Sequence, residues 1–299
     1  MNVKNIVRFL LPTDLLQWNR IRKKKAKRKS LESLKAAGQT WNKESLHASI
    51  LNAGIDPHKD LMVHSALSAI GYVEGGPQGV VGALIASLDT NATLLMPTSP
   101  VDSLQAEHEL ALYDPENTPS KMGAVTEYFR SNVATHRSAH PLEPVSAMGP
   151  KAKYYTSAHH TDGTSYGLNS PWYKHMEQGG QILYIGTTLI NSGTSLHVIE
   201  DAIGAAIFKF PIYLENSKLF KIKLSGSRTV DCLTKVHNPT MSKRRLCDGL
   251  IPILERSGAL RRVVIGDAPS LLVDAAKMKS ILLEEYSRNG VTMYTPEGS

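Results

Sequence analysis

The sequence predicts an α/β fold, a layered mixed β-sheet flanked by helices. Two strand-to-helix passages and one strand-rich stretch carry that expectation. The first runs from Asp60-Leu61-Met62-Val63-His64, an apolar strand, through the turn Gly75-Gly76-Pro77 into Val80, Val81, Leu84, Ile85 and Leu88 at helical spacing, and ends in the strand Ala92 to Pro97. The second places the apolar run Ile182-Leu183-Tyr184-Ile185-Gly186 before a helix that begins near Ser195. Beyond Lys209 the pattern turns strand-rich, with Leu219 to Leu224 alternating and Arg228 to Leu233 as its hairpin partner.

The remaining elements follow in order. Leu31 to Leu51 reads as one helix, and Gly123 to Ser131 as a short one. Residues 99 to 121 form a polar segment with prolines, too long for a connector and therefore expected near a site. A Pro/His-rich stretch from His136 to Pro150 reads as loop, as does the segment ending in Gly167-Leu168-Asn169-Ser170-Pro171. Helix returns at Asp248 to Ser257, Leu260 to Ile265 is a strand, Gly266-Asp267-Ala268-Pro269 is read as opening a helix, and Val291 to Met293 as a last strand.

At 299 residues the chain can bury a sizeable core, and its net charge of +7 is unevenly placed. Residues 1 to 29 hold ten Lys or Arg against Asp14 alone, so this segment carries +9 and the remainder −2. Two parts result: a basic amphipathic segment, 1–29, and one domain, 30–299. Val3, Ile6, Val7, Leu10 and Leu11 follow helical spacing, and Arg20 to Lys29 holds eight basic residues, a pattern suited to an anionic membrane surface. A helix packed on the body or on a partner is the other reading. Nucleic acid is disfavoured, because no aromatic residue interleaves the run. No apolar stretch of about 18 residues occurs and no secretory leader is evident, so the expected location is cytoplasmic, with residues 1–29 able to reach the inner membrane face. Cys232 and Cys247 lack a metal-type spacing and read as free structural thiols.

His197 and Glu200 are the leading chemical candidates. They follow the turn-prone Asn191-Ser192-Gly193, with Thr194 as expected helix cap, and fall on one helical face. A histidine oriented by a carboxylate is a general-base arrangement, although an ordinary polar pair has the same spacing. Ser65 follows an apolar strand, and Gly75-Gly76 precedes a helix, as anion-binding loops do. Dinucleotide and NTP motifs are missing, and so is a serine nucleophile elbow. His136, His140, His159, His160 and His175 match no standard ligand spacing, so no metal is expected.

Taken in order, His64-Ser65-Ala66-Leu67, Val73-Glu74-Gly75-Gly76, Thr93 to Thr98, Asp114-Pro115, Thr118-Pro119-Ser120-Lys121-Met122-Gly123, Arg137-Ser138-Ala139-His140-Pro141, Ser170-Pro171, Gly186 and His197-x-x-Glu200 resemble the aminoglycoside 3-N-acetyltransferase family, whose fold is unrelated to that of the GNAT acetyltransferases. The resemblance covers about residues 44 to 275 and implies direct acetyl transfer from acetyl-CoA, as co-substrate, to a primary amine on a sugar ring. It implies His197 as base, Glu200 as its accompanying acid, and Ser65, Ser120, Lys121, Met122, Gly123, Arg137 and Ser138 along the CoA channel, with backbone amides near Ser65 for the thioester oxygen. Residues 30–299 are then an acyltransferase domain, with homodimerisation left open.

Two departures bear on the acceptor. Family members that modify aminoglycosides tend to carry an acidic pair before a later histidine, where this chain has Thr234-Lys235-Val236 before His237, and Gly193 replaces an asparagine. Fewer carboxylates attract a polycation less. The expected acceptor is therefore an amino sugar, as in a surface-glycan precursor. An aminoglycoside, with antibiotic resistance as the outcome, is the alternative. A non-catalytic membrane-surface scaffold is the reading of another class.

Overall fold

The computed structural model describes residues 13–101, 110–224 and 228–298. The apolar half of the basic segment, Val3 to Leu11, lies outside the described residues. Helix α1 (Thr13–Ala36) runs through the expected boundary at residue 29. It ends where Gly38 takes a left-handed φ of 70°, so the helix expected over 31–51 is two helices. After β1 (Thr40–Trp41), a new cap starts α2 (Lys43–Asn52): the Asn42 side chain accepts from Ser45 N at 2.8 Å, and the Asn42 amide donates to Ser45 Oγ.

The expected strand, helix and strand follow as β2 (Leu61–Ser65), the short β3 (Tyr72–Val73), α3 (Pro77–Ala86) and β4 (Leu94–Pro97). Next come α4 (Ala124–Asn132), β5 (His136–Arg137) and β6 (Val145–Met148), so the Pro/His-rich stretch read as loop holds two strands. Helices α5 (Ala152–Thr156) and α6 (Pro171–Glu177) precede β7 (Gln181–Ile185), and α6 starts at the Ser170-Pro171 pair that had been read as the end of a loop, with Ser170 Oγ accepting from Tyr173 N. Helix α7 (Leu196–Ile203) follows β7, and β8 (Lys218–Lys223) pairs with β9 (Thr229–Thr234) as the expected hairpin. The chain closes with α8 (Ile251–Arg256), β10 (Leu260–Ile265), β11 (Ala268–Asp274) and α9 (Ala275–Asn289). Gly266-Asp267 is a tight turn between β10 and β11, with Gly266 at φ 59°, where a helix start was expected. Thr292 and Thr295 bond each other's backbone in a turn in place of the expected last strand.

Seven strands form the mixed sheet in the order β10-β11-β7-β2-β4-β6-β5. Its centre, β7-β2-β4, is parallel, and both flanks are antiparallel. Side-chain alternation sorts the core. Leu61, Val63, Leu94, Met96, Leu183 and Ile185 face α2, α3 and α4, whereas Met62, Leu95, Ile182 and Tyr184 face α6, α7 and α9. Full burial of Trp172 on that second face contributes on the order of 2–3 kcal/mol. This two-sided covering explains why the central strands read as unbroken apolar runs.

The topology also creates the crevice. From β2 the chain crosses to β4 on one side, while from β7 it leaves toward β11 on the other, so the C-terminal ends of β2 and β7 part. Ligands of open parallel sheets bind at such a switch point.

Candidate active site

Helix α7 follows β7 at this crevice after one short helical turn, Leu189–Ser192. Gly186, at φ 64°, makes the exit turn, and a Cβ there would lie 2.3 Å from the Ala69 Cβ. The expected Thr194 cap does not form: Ser195 is the cap residue without a side-chain bond, and the Thr194 amide donates to Ser192 O. His197 and Glu200 nevertheless share a buried helix face, as their spacing required.

Glu200 is the hub. Its Oε2 accepts from His197 Nδ1 at 2.5 Å and from His237 Nε2 at 3.0 Å, while its Oε1 accepts from Tyr294 OH at 2.6 Å. Burial pulls the Glu200 pKa up, but the His197 and His237 contacts outweigh it and hold the carboxyl well below its ordinary range. His197 moves down to about 3: burial contributes most, Arg245 and then His237 add to it, and Glu200 opposes them. The imidazole is therefore neutral at rest. With Nδ1 donating to Glu200, its Nε2 lone pair is the basic position, with no hydrogen bond to any described residue.

The surrounding rings come from elsewhere in the chain. Tyr166 lies 4.7 Å from His197 and 5.6 Å from His237 between ring centres, and Tyr213 lies 4.6 Å from His237. His237 is delivered by the strand exit after β9, where it pairs in an antiparallel bridge with Tyr213. Asp201, beside Glu200 on α7, accepts from Thr164 and from Tyr213, and burial raises its pKa. Sequence spacing could not link these residues, because Tyr166, Tyr213, His237, Arg245 and Tyr294 sit on separate loops. Only His237 carried a signal, as a histidine closing an alternating strand.

The structure places positions 234 and 236 away from the pocket. Thr234 and Val236 are buried within the hairpin base, and Val236 packs with Leu142, so their register turns them inward. Other charged groups lie near Tyr166, which packs on His197: Glu143, Glu200, Asp201 and Arg245.

The expected CoA residues fall into two groups. Ser65 is half-buried at the end of β2, in register with Ile185. Ser120 to Gly123 lie beyond the end of β4, where Lys121 N donates to Ser99 O and Met122 N to Ser120 Oγ, and Gly123 caps α4 while Lys121 is exposed. These residues offer a hydroxyl, a cation and helix amides to a phosphate-bearing ligand. Arg137 and Ser138, also expected along the CoA channel, are bonded to the loops around them. Arg137 donates to Thr98 Oγ1, Thr98 O, Pro115 O and Thr118 O, and Ser138 Oγ accepts from Val145 N and bonds His159 Nδ1, with Ser138 fully buried. These bonds hold the loops together.

The His/Glu group His197, Glu200 and His237 is also the one set of potential metal ligands found among the described residues, with atoms within 4.8 Å of each other. Both imidazoles point at one carboxylate oxygen, the geometry of a hydrogen-bonded relay.

With this geometry in place, comparison with known proteins is decisive. The family profile described as aminoglycoside 3-N-acetyltransferase matches residues 62–285. This chain belongs to that family. Among its relatives, aminoglycoside N(3)-acetyltransferase III of Serratia marcescens is 32% identical over 171 residues, covering 52% of this chain and 63% of that protein. Aminoglycoside N(3)-acetyltransferase VII of Streptomyces paromomycinus is 29% identical over 190 residues, covering 56% and 65%. The matched stretch thus spans less than two thirds of these relatives' length. Among solved structures, AAC-IIIb in binary complex with CoASH superposes at TM-score 0.66 with 24% identity, covering 83% of this chain and 97% of that one, a likeness of fold. AAC-VIa bound to sisomicin superposes at 0.64 with 25% identity, covering 82% and 97%. The mixed sheet flanked by helices is therefore the family's fold. Among the described residues, no helix is long and apolar enough to cross a membrane.

Proposed function

We propose that the chain is an acetyl-CoA-dependent N-acetyltransferase whose acceptor is a primary amine of an aminoglycoside. The observation that carries this is the neutral, buried His197 whose Nδ1 is fixed by Glu200 and whose Nε2 is left to accept a proton. An amine that arrives as ammonium must lose a proton before it can attack a thioester. His197 takes that proton at Nε2, and Glu200 stabilises the resulting imidazolium through the 2.5 Å bond. The thioester of acetyl-CoA supplies an activated acetyl group with a good leaving group, so no nucleophilic cysteine is required. Cys247, the nearer candidate, is buried with its thiol pushed up to about 12, a poor nucleophile at neutral pH.

The residues present fit acetyl-CoA at the crevice. Ser65 and the Ser120 to Gly123 turn supply hydroxyl, amide and ammonium donors, while Arg137 and Ser138 fix the loops behind them. The relatives' names favour an aminoglycoside over a surface-glycan precursor, and Glu143 and Asp201 place carboxyl groups near Tyr166 where 234 and 236 supply none. A scaffold without activity has no use for a base and acid held this closely.

Purified protein is incubated with acetyl-CoA and either sisomicin, gentamicin or an amino-sugar nucleotide while free thiol is followed. Thiol release with the aminoglycosides, lost by about a thousandfold in His197→Ala, is the expected result. Release with the amino-sugar nucleotide alone overturns the acceptor, and unchanged turnover in His197→Ala overturns the base.

The basic segment is proposed as an arm outside the transferase body. Residues 25 to 30 of α1 are exposed, and Arg20 to Lys29 carry eight basic side chains. Loss of co-sedimentation with anionic vesicles on deleting residues 1–29, with turnover intact, tests a membrane role. Equal sedimentation of both forms overturns it.

A further inference from the structure

We propose that Glu143 is the acceptor anchor, a carboxyl that pairs with a second ammonium group of a polyamine while His197 deprotonates the first. The inference rests on the acetyltransferase reading and assigns the part of its site that selects the acceptor.

Glu143 sits in the loop between β5 and β6, at the edge of the sheet where the parallel strands end, since Thr98 N donates to Pro144 O and Pro97 pairs with Val145. Its backbone is held on both sides. The Glu143 amide donates to His140 Nδ1, the Glu143 carbonyl accepts from Trp172 Nε1 at 3.3 Å, and Ser99 Oγ donates to Leu142 O at 2.5 Å. The carboxyl itself is different. It makes no ion pair or hydrogen bond with any described residue, although the residue is only 9% exposed. The carboxyl thus lies at the rim of the buried volume, where a ligand can reach it, with no partner among the described residues.

Its surroundings identify the partner. Tyr166 packs against the His197 ring and feels Glu143, Arg245, Glu200 and Asp201 together. Arg245 is the cation facing Glu143 from the loop before α8; His140 lies on its own loop, and Glu200, Asp201 and His197 share the tyrosine from α7, with His237 after β9. Arg245 bonds Tyr294 and makes no ion pair with Glu143, and its Nε and Nη2 are sealed from solvent with no hydrogen-bond partner among the described residues. Burial, opposed only by Arg245, pushes the Glu143 carboxyl up to about 8, so at neutral pH it is largely protonated. When an ammonium docks, the carboxyl releases its proton to solvent and forms an ion pair. A hydroxyl or neutral amide in the acceptor offers no such gain.

The test compares the wild type with Glu143→Gln and Glu143→Asp, using sisomicin as the polyamine and glucosamine as the monoamine. In Glu143→Gln, KM for sisomicin is expected to rise about tenfold or more, with kcat within about threefold and KM for acetyl-CoA unchanged. Glucosamine should respond less than about twofold, and Glu143→Asp should recover part of the sisomicin affinity. Calorimetry of sisomicin binding in two buffers of different ionisation enthalpy should show up to one fewer proton released by Glu143→Gln at pH 7. This binding readout decides the role of Glu143 even if neither amine is acetylated, an outcome that sinks only the acetyltransferase reading. Equal sisomicin affinity and equal proton release in the wild type and Glu143→Gln overturn the anchor, as does an equal loss for both acceptors and acetyl-CoA.

Discussion

Lowering the pH from 7 to 5 should remove much of this chain's folding stability, because the core keeps histidines neutral. Burial, reinforced by the neighbouring His175, pushes His64 down to about 3 as it stacks 4.8 Å from Tyr184 with its Nε2 unpartnered among the described residues. Burial likewise takes His159 and His197 to about 3 and His175 to about 4. A histidine whose folded pKa is depressed stays neutral in the native state while the unfolded chain binds a proton. Stability therefore falls as pH drops below about 6.5 and continues to fall until the folded value is reached. At pH 5 each of these four costs about 2 kcal/mol relative to neutral pH. Glu143 acts in the opposite direction. Its raised pKa makes the native state the tighter proton binder between about 4.5 and 8, which returns on the order of 2–3 kcal/mol. The balance is a net loss of roughly 5–6 kcal/mol, comparable with the whole stability of many domains. Urea unfolding at pH 7, 6 and 5 measures it directly, and the midpoint should fall steeply through the series. His64→Phe, which keeps a stacked ring and removes the titration, should flatten the fall by about a third. A midpoint that holds constant to pH 5 would refute the reasoning.

Three substitutions test other parts of the structure. Glu200→Gln keeps the shape and loses the charge that receives three donors, so kcat should drop about a hundred- to thousandfold with the fold intact by circular dichroism; a drop under threefold would rule out the relay. Gly186→Ala forces a left-handed φ and a 2.3 Å approach to Ala69, and its Tm should fall by roughly 5–10 °C; an unchanged Tm would contradict the close packing at the β7 exit. Arg137→Lys removes the guanidinium fork that holds Thr98, Pro115 and Thr118, so KM for acetyl-CoA should rise about tenfold or more and the melting midpoint should fall, whereas direct phosphate binding would raise KM without lowering the midpoint.

The central sheet was legible because its signal is local. Leu61 to Ser65, Leu94 to Pro97 and Gln181 to Ile185 are each built on a run of three or more apolar residues, and the 3.6-residue period of Val80 to Leu84 sits between two of them. His197 and Glu200 were legible for the same reason, since i and i+3 on one helix is a sequence-level proximity. The strands at 136–137 and 145–148 were obscured because prolines and histidines mask two short antiparallel strands whose pairing is the evidence for them. The β10–β11 turn was misread because Gly-Asp before an apolar run serves hairpin turns and helix starts alike. Arg137 and Ser138 show a further limit. Their residue types suit a phosphate channel, but which way a side chain points depends on loops brought together from residues 98, 115, 118 and 159.

Under the proposed function, the hub at Glu200 explains how a histidine held so far below its ordinary pKa serves as the base. In the resting site, burial and the Arg245 charge both work against an imidazolium at His197, and Glu200 alone favours it. The Glu200 carboxylate is meanwhile shared among His197, His237 and Tyr294, which keeps it ionised in spite of its burial. A proton accepted at His197 Nε2 thus meets a carboxylate already formed and already aligned at Nδ1, and no solvent has to reorganise to receive it. The cost of protonation is set by desolvation, which is greatest before the acceptor arrives. On the proposed reaction, an ammonium entering beside His197 brings its own proton into the same buried volume, so the charge is moved from nitrogen to nitrogen instead of being introduced from water. The site is therefore a weak base toward solvent and a competent one toward a bound amine, a distinction that protects the resting histidine from protonation while leaving transfer open.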